Sequence, residues 1–167
     1  MRVGARLSRY NIYGHFGTSL FRAAHGDTGK SKFSEVYMEK IWSDLYDAAM
    51  KAMNPRMISR FVEAGFVGAA VESASGKIYA GVCVAGACTL GICAGRNAIF
   101  NMLTNGEDSI KRVVAVNWNR KVIPPCGACR ELMTQLMPDG YRDIEIMLDF
   151  KNNRVVTLGE LTPEWWI

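Results

Sequence analysis

Pro125-Cys126-Gly127-Ala128-Cys129-Arg130-Glu131, read with Ile92-Cys93-Ala94-Gly95-Arg96-Asn97, decides how this chain is understood. A Cys-x-x-Cys that opens a helix sets two thiols on one turn, where backbone amides and the helix dipole favour thiolate. Cys93, 33 residues before Cys126, is placed to supply a third from the start of a neighbouring helix. Three thiolates suit a zinc ion whose fourth position is left to water. Such a site carries a net charge of about −1, which raises the pKa of the bound water. Arg96 and Arg130 follow the cysteines closely enough to donate to their sulfurs and restore its acidity. Taken alone, Cys-x-x-Cys also fits a redox pair or half of a zinc ribbon. A ribbon needs a second such pair, which the chain lacks, and both histidines, His15 and His25, precede the folded body. Cys83 and Cys88 are expected to be small buried hydrophobes, since three thiols already suffice.

Working outward, 167 residues of which 49% are hydrophobic predict one domain with a sizeable core and no segment able to span a bilayer. The net charge of +4 comes from Arg2, Arg6, Arg9 and Arg22, which meet no acid before Asp27; 16 basic and 16 acidic residues remain. A neutral body argues against nucleic acid as a partner, because phosphate binding needs a basic face on the domain itself. Residues 1–33 form a basic, Gly- and Arg-rich extension and 34–167 the zinc domain. The extension has no apolar run of the secretory kind. Its arginines suit an organelle transit peptide, but its glycines favour a flexible or subunit-clasping arm. Five cysteines crowded around one motif suit metal ligation in a reducing compartment, hence a cytoplasmic protein without membrane association.

The apolar spacing predicts an amphipathic helix from Ser34, its cap, to Asn54. A hairpin follows, Gly65 to Ser73 and Lys77 to Ala85, joined by Ala74-Ser75-Gly76. Next come a helix over Ile92 to Leu103, a strand over Ile110 to Val116, a helix from Cys126 to Met137, a strand over Ile144 to Phe150, and a last strand at Val155-Val156-Thr157. This order predicts an α/β protein, a mixed sheet covered by helices on both faces.

Phe66-Val67-Gly68-Ala69-Ala70, Gly76-Lys77-Ile78-Tyr79-Ala80-Gly81-Val82, Ile92-Cys93-Ala94, Arg96-Asn97-Ala98-Ile99-Phe100 and Pro125 through Glu131 resemble the homotetrameric cytidine deaminase family, including its blasticidin S deaminase branch. The resemblance spans about Ser34 to Trp166. It implies a three-layer α/β/α sandwich with a mixed five-stranded sheet (the cytidine deaminase-like fold). It implies one zinc per subunit on Cys93, Cys126 and Cys129, and a free cytosine nucleoside as substrate. It implies a homotetramer, a dimer being the smaller option, whose sites neighbouring subunits complete. Ala94 and Pro125 would line the substrate pocket, and Trp165 and Trp166 would close it or serve in plain packing.

Three departures qualify that expectation. Position 95 is a proton-moving glutamate in the family and a glycine in this chain. Where relatives carry an asparagine and, two residues on, a glutamate that bind the ribose hydroxyls, this chain has Cys83 and Ala85. Arg60-Phe61-Val62-Glu63-Ala64-Gly65 replaces a tight approach to the first strand; Phe61 or Phe66 would stack on a pyrimidine, or both would be core aromatics. Glu63, Glu72 and Glu131 are the nearby acids that would stand in for the missing one, or else surface residues or residues behind the ligands. Three readings follow: a nucleoside deaminase impaired at Gly95, a non-catalytic zinc protein that binds a nucleoside-like ligand or an oligomeric partner, and a zinc hydrolase acting on another amine.

Overall fold

The computed structural model describes residues 32–167, with side chains from Lys40 onward; the extension before residue 32, with its arginines and both histidines, lies outside the described residues. Helix α1 spans Lys32–Ala52, so Ser34 falls within it rather than at its cap. Ile41, Trp42, Leu45 and Ala49 form its buried stripe, and the helix ends at Ala52, three residues before Pro55. Strands β1 (Arg56–Met57), β2 (Val62–Ser73) and β3 (Ile78–Gly86) follow, then helix α2 (Ala94–Thr104), strand β4 (Ile110–Asn117) and helix α3 (Gly127–Leu136). Strands β5 (Glu145–Asp149) and β6 (Arg154–Thr157) and the short helix α4 (Leu158–Leu161) complete the chain.

The sheet runs β3-β2-β4-β5-β6, antiparallel throughout except for the parallel β4–β5 pair. A sixth strand, the two-residue β1 not expected from sequence, pairs with the start of β2 ahead of β4. It is too short for period-two alternation to reveal it. Period two sorts the side chains of the long strands between two layers. Ala70, Val114, Val116 and Met147 face α1. Ala69, Val71, Val113, Ala115 and Ile146 face α2 and α3 through Ala98, Ile99, Met102 and Met133. This is the expected three-layer sandwich. No helix among the described residues is long and apolar enough to cross a membrane.

Two glycines set the layer spacing. A Cβ at Gly81 would stand 2.2 Å from the Ala98 amide nitrogen, so α2 rests directly on the backbone of β3. Gly65, at φ +91, sits where a Cβ would collide with the Asn54 carbonyl, and the β2–β3 ladder is irregular just after it. Within the sheet, Arg112 of β4 reaches Glu72 of β2 at 2.8 Å and Glu145 of β5 at 2.6 Å, with its guanidinium 5.8 Å from the Trp42 ring centroid. Glu72 is therefore a buried structural acid and no substitute for the group missing at position 95.

Candidate metal centre and groove

Both motif helices open on a cysteine. Cys93 is the N-cap of α2 and Cys126 the N-cap of α3, each in extended conformation, while Cys129 is the third residue of α3, within its first turn. The three sulfurs lie within 4.8 Å of one another, with Cys93 Sγ to Cys126 Sγ at 3.2 Å and Cys126 Sγ to Cys129 Sγ at 3.5 Å. No imidazole or carboxylate belongs to this cluster among the described residues. A tetrahedral zinc with thiolates at about 2.3 Å needs sulfurs about 3.8 Å apart, so the donor set fits the ion after small outward shifts.

What delivers Cys93 is the loop after β3. Cys88 and Thr89 both adopt left-handed backbone, at φ +57 and +59, a conformation that costs roughly 1–2 kcal/mol per residue. They turn the chain so that Ile92 returns to bridge Val84, one residue before Cys93. Cys88 is exposed, contrary to the expectation of a buried hydrophobe, whereas Cys83 is half-buried and its sulfur accepts from the Val67 amide at 3.1 Å.

The thiols are electrostatically unequal. Burial pushes Cys129 up to about 12, helped by the negative charge on Cys126. Burial also raises Cys93, as does its hydrogen bond to Cys126, against a lowering contribution from the Arg96 side chain. Burial opposes ionisation of Cys126 as well, yet donation from Cys93 and from the amides of Cys129 and Ala128 brings it below the ordinary thiol value. Cys126 is thus the first to carry charge, and a divalent cation must displace protons from the other two.

An open groove of about 370 Å³ adjoins the cluster, lined among others by Cys83, Ala85, Thr89, Ile92, Cys93 and Arg96. The two positions singled out from sequence, Cys83 and Ala85, therefore share a cavity with Cys93 of the thiol cluster, and neither offers a carboxylate or amide. Arg96 Nε is buried without a hydrogen-bond partner. Ala94 and Pro125 are buried beside Cys93 and Cys126 in the chain. Gly95 has a Cβ direction that points at Cys129 Sγ, 3.0 Å away.

Several side chains sit elsewhere than anticipated. Arg130 spends its hydrogen bonds on two backbone carbonyls, Pro125 at 2.9 Å and Leu161 at 3.1 Å, instead of on sulfur. Phe61 and Phe66 are exposed, at 60% and 39%, which removes the core reading; Phe61 lies under the Arg60 guanidinium. Trp165 is half-buried against the α2/α3 core and bonds to Glu131, which also holds Trp166. Glu131 is thereby occupied, and Glu63 stands across the ladder from Ala85. The Trp165–Glu131–Trp166 cluster left no sequence signal beyond adjacent tryptophans, since 34 residues separate Trp165 from its acceptor.

No family model matches the chain. Cytidine deaminase from Halalkalibacterium halodurans is 31% identical over 72 residues, 42% of this chain and 52% of that protein, so the match spans about half the length of that curated relative. Among solved structures, cytidine deaminase from Burkholderia pseudomallei is 31% identical with a TM-score of 0.59, covering 74% of this chain and 98% of that one. Cytidine deaminase from Mycobacterium tuberculosis is 26% identical with a TM-score of 0.61, covering 75% and 97%. A near-complete overlay on the Burkholderia protein at that identity, with three thiols gathered at two helix starts, establishes that this chain belongs to the cytidine deaminase family.

Proposed function

We propose that the chain holds one zinc ion through Cys93, Cys126 and Cys129, takes a free cytosine nucleoside in the adjoining groove, and is impaired in hydrolysing it because position 95 is glycine. The observation that carries this reading is the convergence of three thiols, with no carboxylate among them, beside a groove walled by Cys83, Ala85 and Arg96. Zinc, when bound, supplies a Lewis acid that lowers the pKa of water at its open position. The chain's own groups do the rest. The N-terminal amides of α3 and the two helix dipoles favour the thiolates, and Arg96 offsets part of their charge. Hydrolysis at C4 requires a proton to leave water, one to reach the ring nitrogen N3, and one to reach the departing amine so that ammonia forms. Glycine moves none of them. General acid/base catalysis contributes about 10²–10⁴-fold, so a loss of at least that size is expected.

One observation favours a second reading, a zinc protein that binds a nucleoside-like ligand without turning it over. Cys83 and Ala85 give ribose hydroxyls no carboxylate or amide to bond, so ligand choice differs from that of a cytidine enzyme whatever stands at position 95. A bulkier nucleoside such as blasticidin S, or another amine substrate, fits the same fact. The exposed apolar side chains Phe100 and Leu103, three residues apart on α2, with Phe61 and Phe66, support an assembly of subunits, a homotetramer by family resemblance. Five cysteines, an odd number crowded around one metal-suited motif, support the cytoplasm.

The test is loss of cytosine absorbance with cytidine, deoxycytidine and blasticidin S, for the zinc-loaded protein and Gly95→Glu in parallel. Gain of turnover by the variant over a silent parent supports the impaired deaminase. Silence of both, with zinc bound, favours the binding protein. Brisk turnover by the parent would overturn the role given to position 95.

A further inference from the structure

The two residues after Cys129 tie α3 to the chain's C-terminal end. Arg130 bridges the Pro125 carbonyl, immediately before Cys126, and the Leu161 carbonyl at the end of α4. Glu131 accepts Trp165 Nε1 on one carboxylate oxygen at 3.2 Å and Trp166 Nε1 on the other at 2.9 Å. Gln135 adds a 2.6 Å bond to the second oxygen. Trp165 is braced edge-on against Tyr141, and the two indoles meet edge-on at 6.3 Å.

Trp166 is 74% exposed, so burial alone does not explain its place; its hydrogen bond does. Cys126 is also exposed, and the peptide that precedes it leads directly into its N-cap position on α3. That peptide's carbonyl is held by Arg130, whose planar fork is rigid enough to fix two acceptors at once. We propose that Arg130 and Glu131 form a clamp through which the Trp165-Trp166 end holds the turn bearing Cys126 and Cys129 in metal-ready geometry. Both are positioning residues, and the proposal rests on the zinc reading above. Outer-shell partners of metal ligands typically change affinity 10–100-fold when removed, and the lower end of that range is expected since Glu131 acts through the helix.

The experiment measures zinc affinity of the full chain by competition with a chromophoric chelator, and the sulfur-to-cobalt charge-transfer band of the Co²⁺ form. Glu131→Ala is compared with the double change Trp165→Phe, Trp166→Phe, which keeps both rings and removes both N–H donors. Each is expected to weaken zinc about 10-fold and shift the cobalt band, while all three changes together weaken it no further, because they cut one linkage. Glu131→Gln, retaining one acceptor oxygen, falls between. Parent-like affinity and spectrum in these variants, or losses that multiply, overturn the clamp. Should Glu131→Ala fail to fold by circular dichroism, Trp166→Phe at its exposed site decides the matter by a several-fold loss or none. A parent that takes no zinc at all sinks the zinc reading itself, a result distinct from intact binding in every variant.

Discussion

The Cβ position of Gly95 stands 3.0 Å from Cys129 Sγ, so position 95 and one thiol of the three-cysteine cluster are neighbours in contact range. A side chain at 95 asks the sulfur to move by a few tenths of an ångström. That is about the movement zinc itself requires, since the sulfurs sit at 3.2 and 3.5 Å where about 3.8 Å is wanted. Filling position 95 and loading the thiol cluster therefore call for sulfur shifts of similar size.

Space and proton transfer can be separated by comparing Gly95→Gln with Gly95→Glu. Both fill the same volume, but only glutamate carries protons. Both variants are expected to bind zinc, and turnover of the best nucleoside is expected to differ between them by at least about 10²-fold. Equal turnover would mean that the side chain acts by occupying space.

Metal uptake is expected to depend steeply on pH. Cys129, pushed up to about 12, and Cys93, raised above its ordinary value, keep their protons through neutral pH in the absence of metal, whereas Cys126 is lowered. Zinc must displace at least two protons, so its apparent affinity rises with pH and falls as pH drops. The slope is about 100-fold per pH unit near neutrality for two protons released. Chelator competition at several pH values, or calorimetry in buffers of different ionisation enthalpy, measures the number released. A value of one or less would contradict the assignment.

The most consequential unread feature of the fold is electrostatic. Glu72 and Arg112 lie 40 residues apart and meet only because β2 and β4 pair in register at those positions. Arg112→Met leaves Glu72, 2% exposed, without its principal counter-charge, and is expected to cost about 3–5 kcal/mol in urea unfolding. Adding Glu72→Met recovers part of that loss, because the buried charge goes with it. A single variant as stable as the parent would show that the ion pair contributes nothing net.

Much of the architecture was legible because its periodicity is local. The stripe of α1, the hairpin around Gly76 and the two cysteine-led helices follow from residues within one or two turns of each other. The gathering of three thiols was legible because Cys-x-x-Cys is local and Cys93 sits in a comparable helix start. What escaped depends on long-range geometry. Arg130 follows Cys129, yet its side chain is drawn away from sulfur by carbonyls at Pro125 and Leu161, the latter 31 residues on. Phe61 and Phe66 have core-like composition, but the irregular β2–β3 pairing after Gly65 accompanies side chains that face solvent. Cys88 is a hydrophobe by composition and a left-handed turn residue by position.

Glycines in the two motif regions make opposite demands, and that contrast yields a last prediction. At Gly81 a Cβ would lie 2.2 Å from the backbone of α2, whereas at Gly127, between the ligand cysteines, it would meet nothing within 4 Å. Gly81→Ala must lift α2 off β3 and carry Cys93 with it, so both folding stability and zinc affinity are expected to fall, the former by roughly 1–3 kcal/mol as for other overpacked sites. Gly127→Ala occupies open space at the first position of α3, where alanine is the better helix former, so stability is expected to stay within about 0.5 kcal/mol and zinc affinity to be unchanged. Thermal melts with and without zinc, run on both variants, test the pair. If Gly127→Ala lost the metal while Gly81→Ala kept it, α2 would not be what places Cys93, and the close contact at Gly81 would matter to the sheet alone.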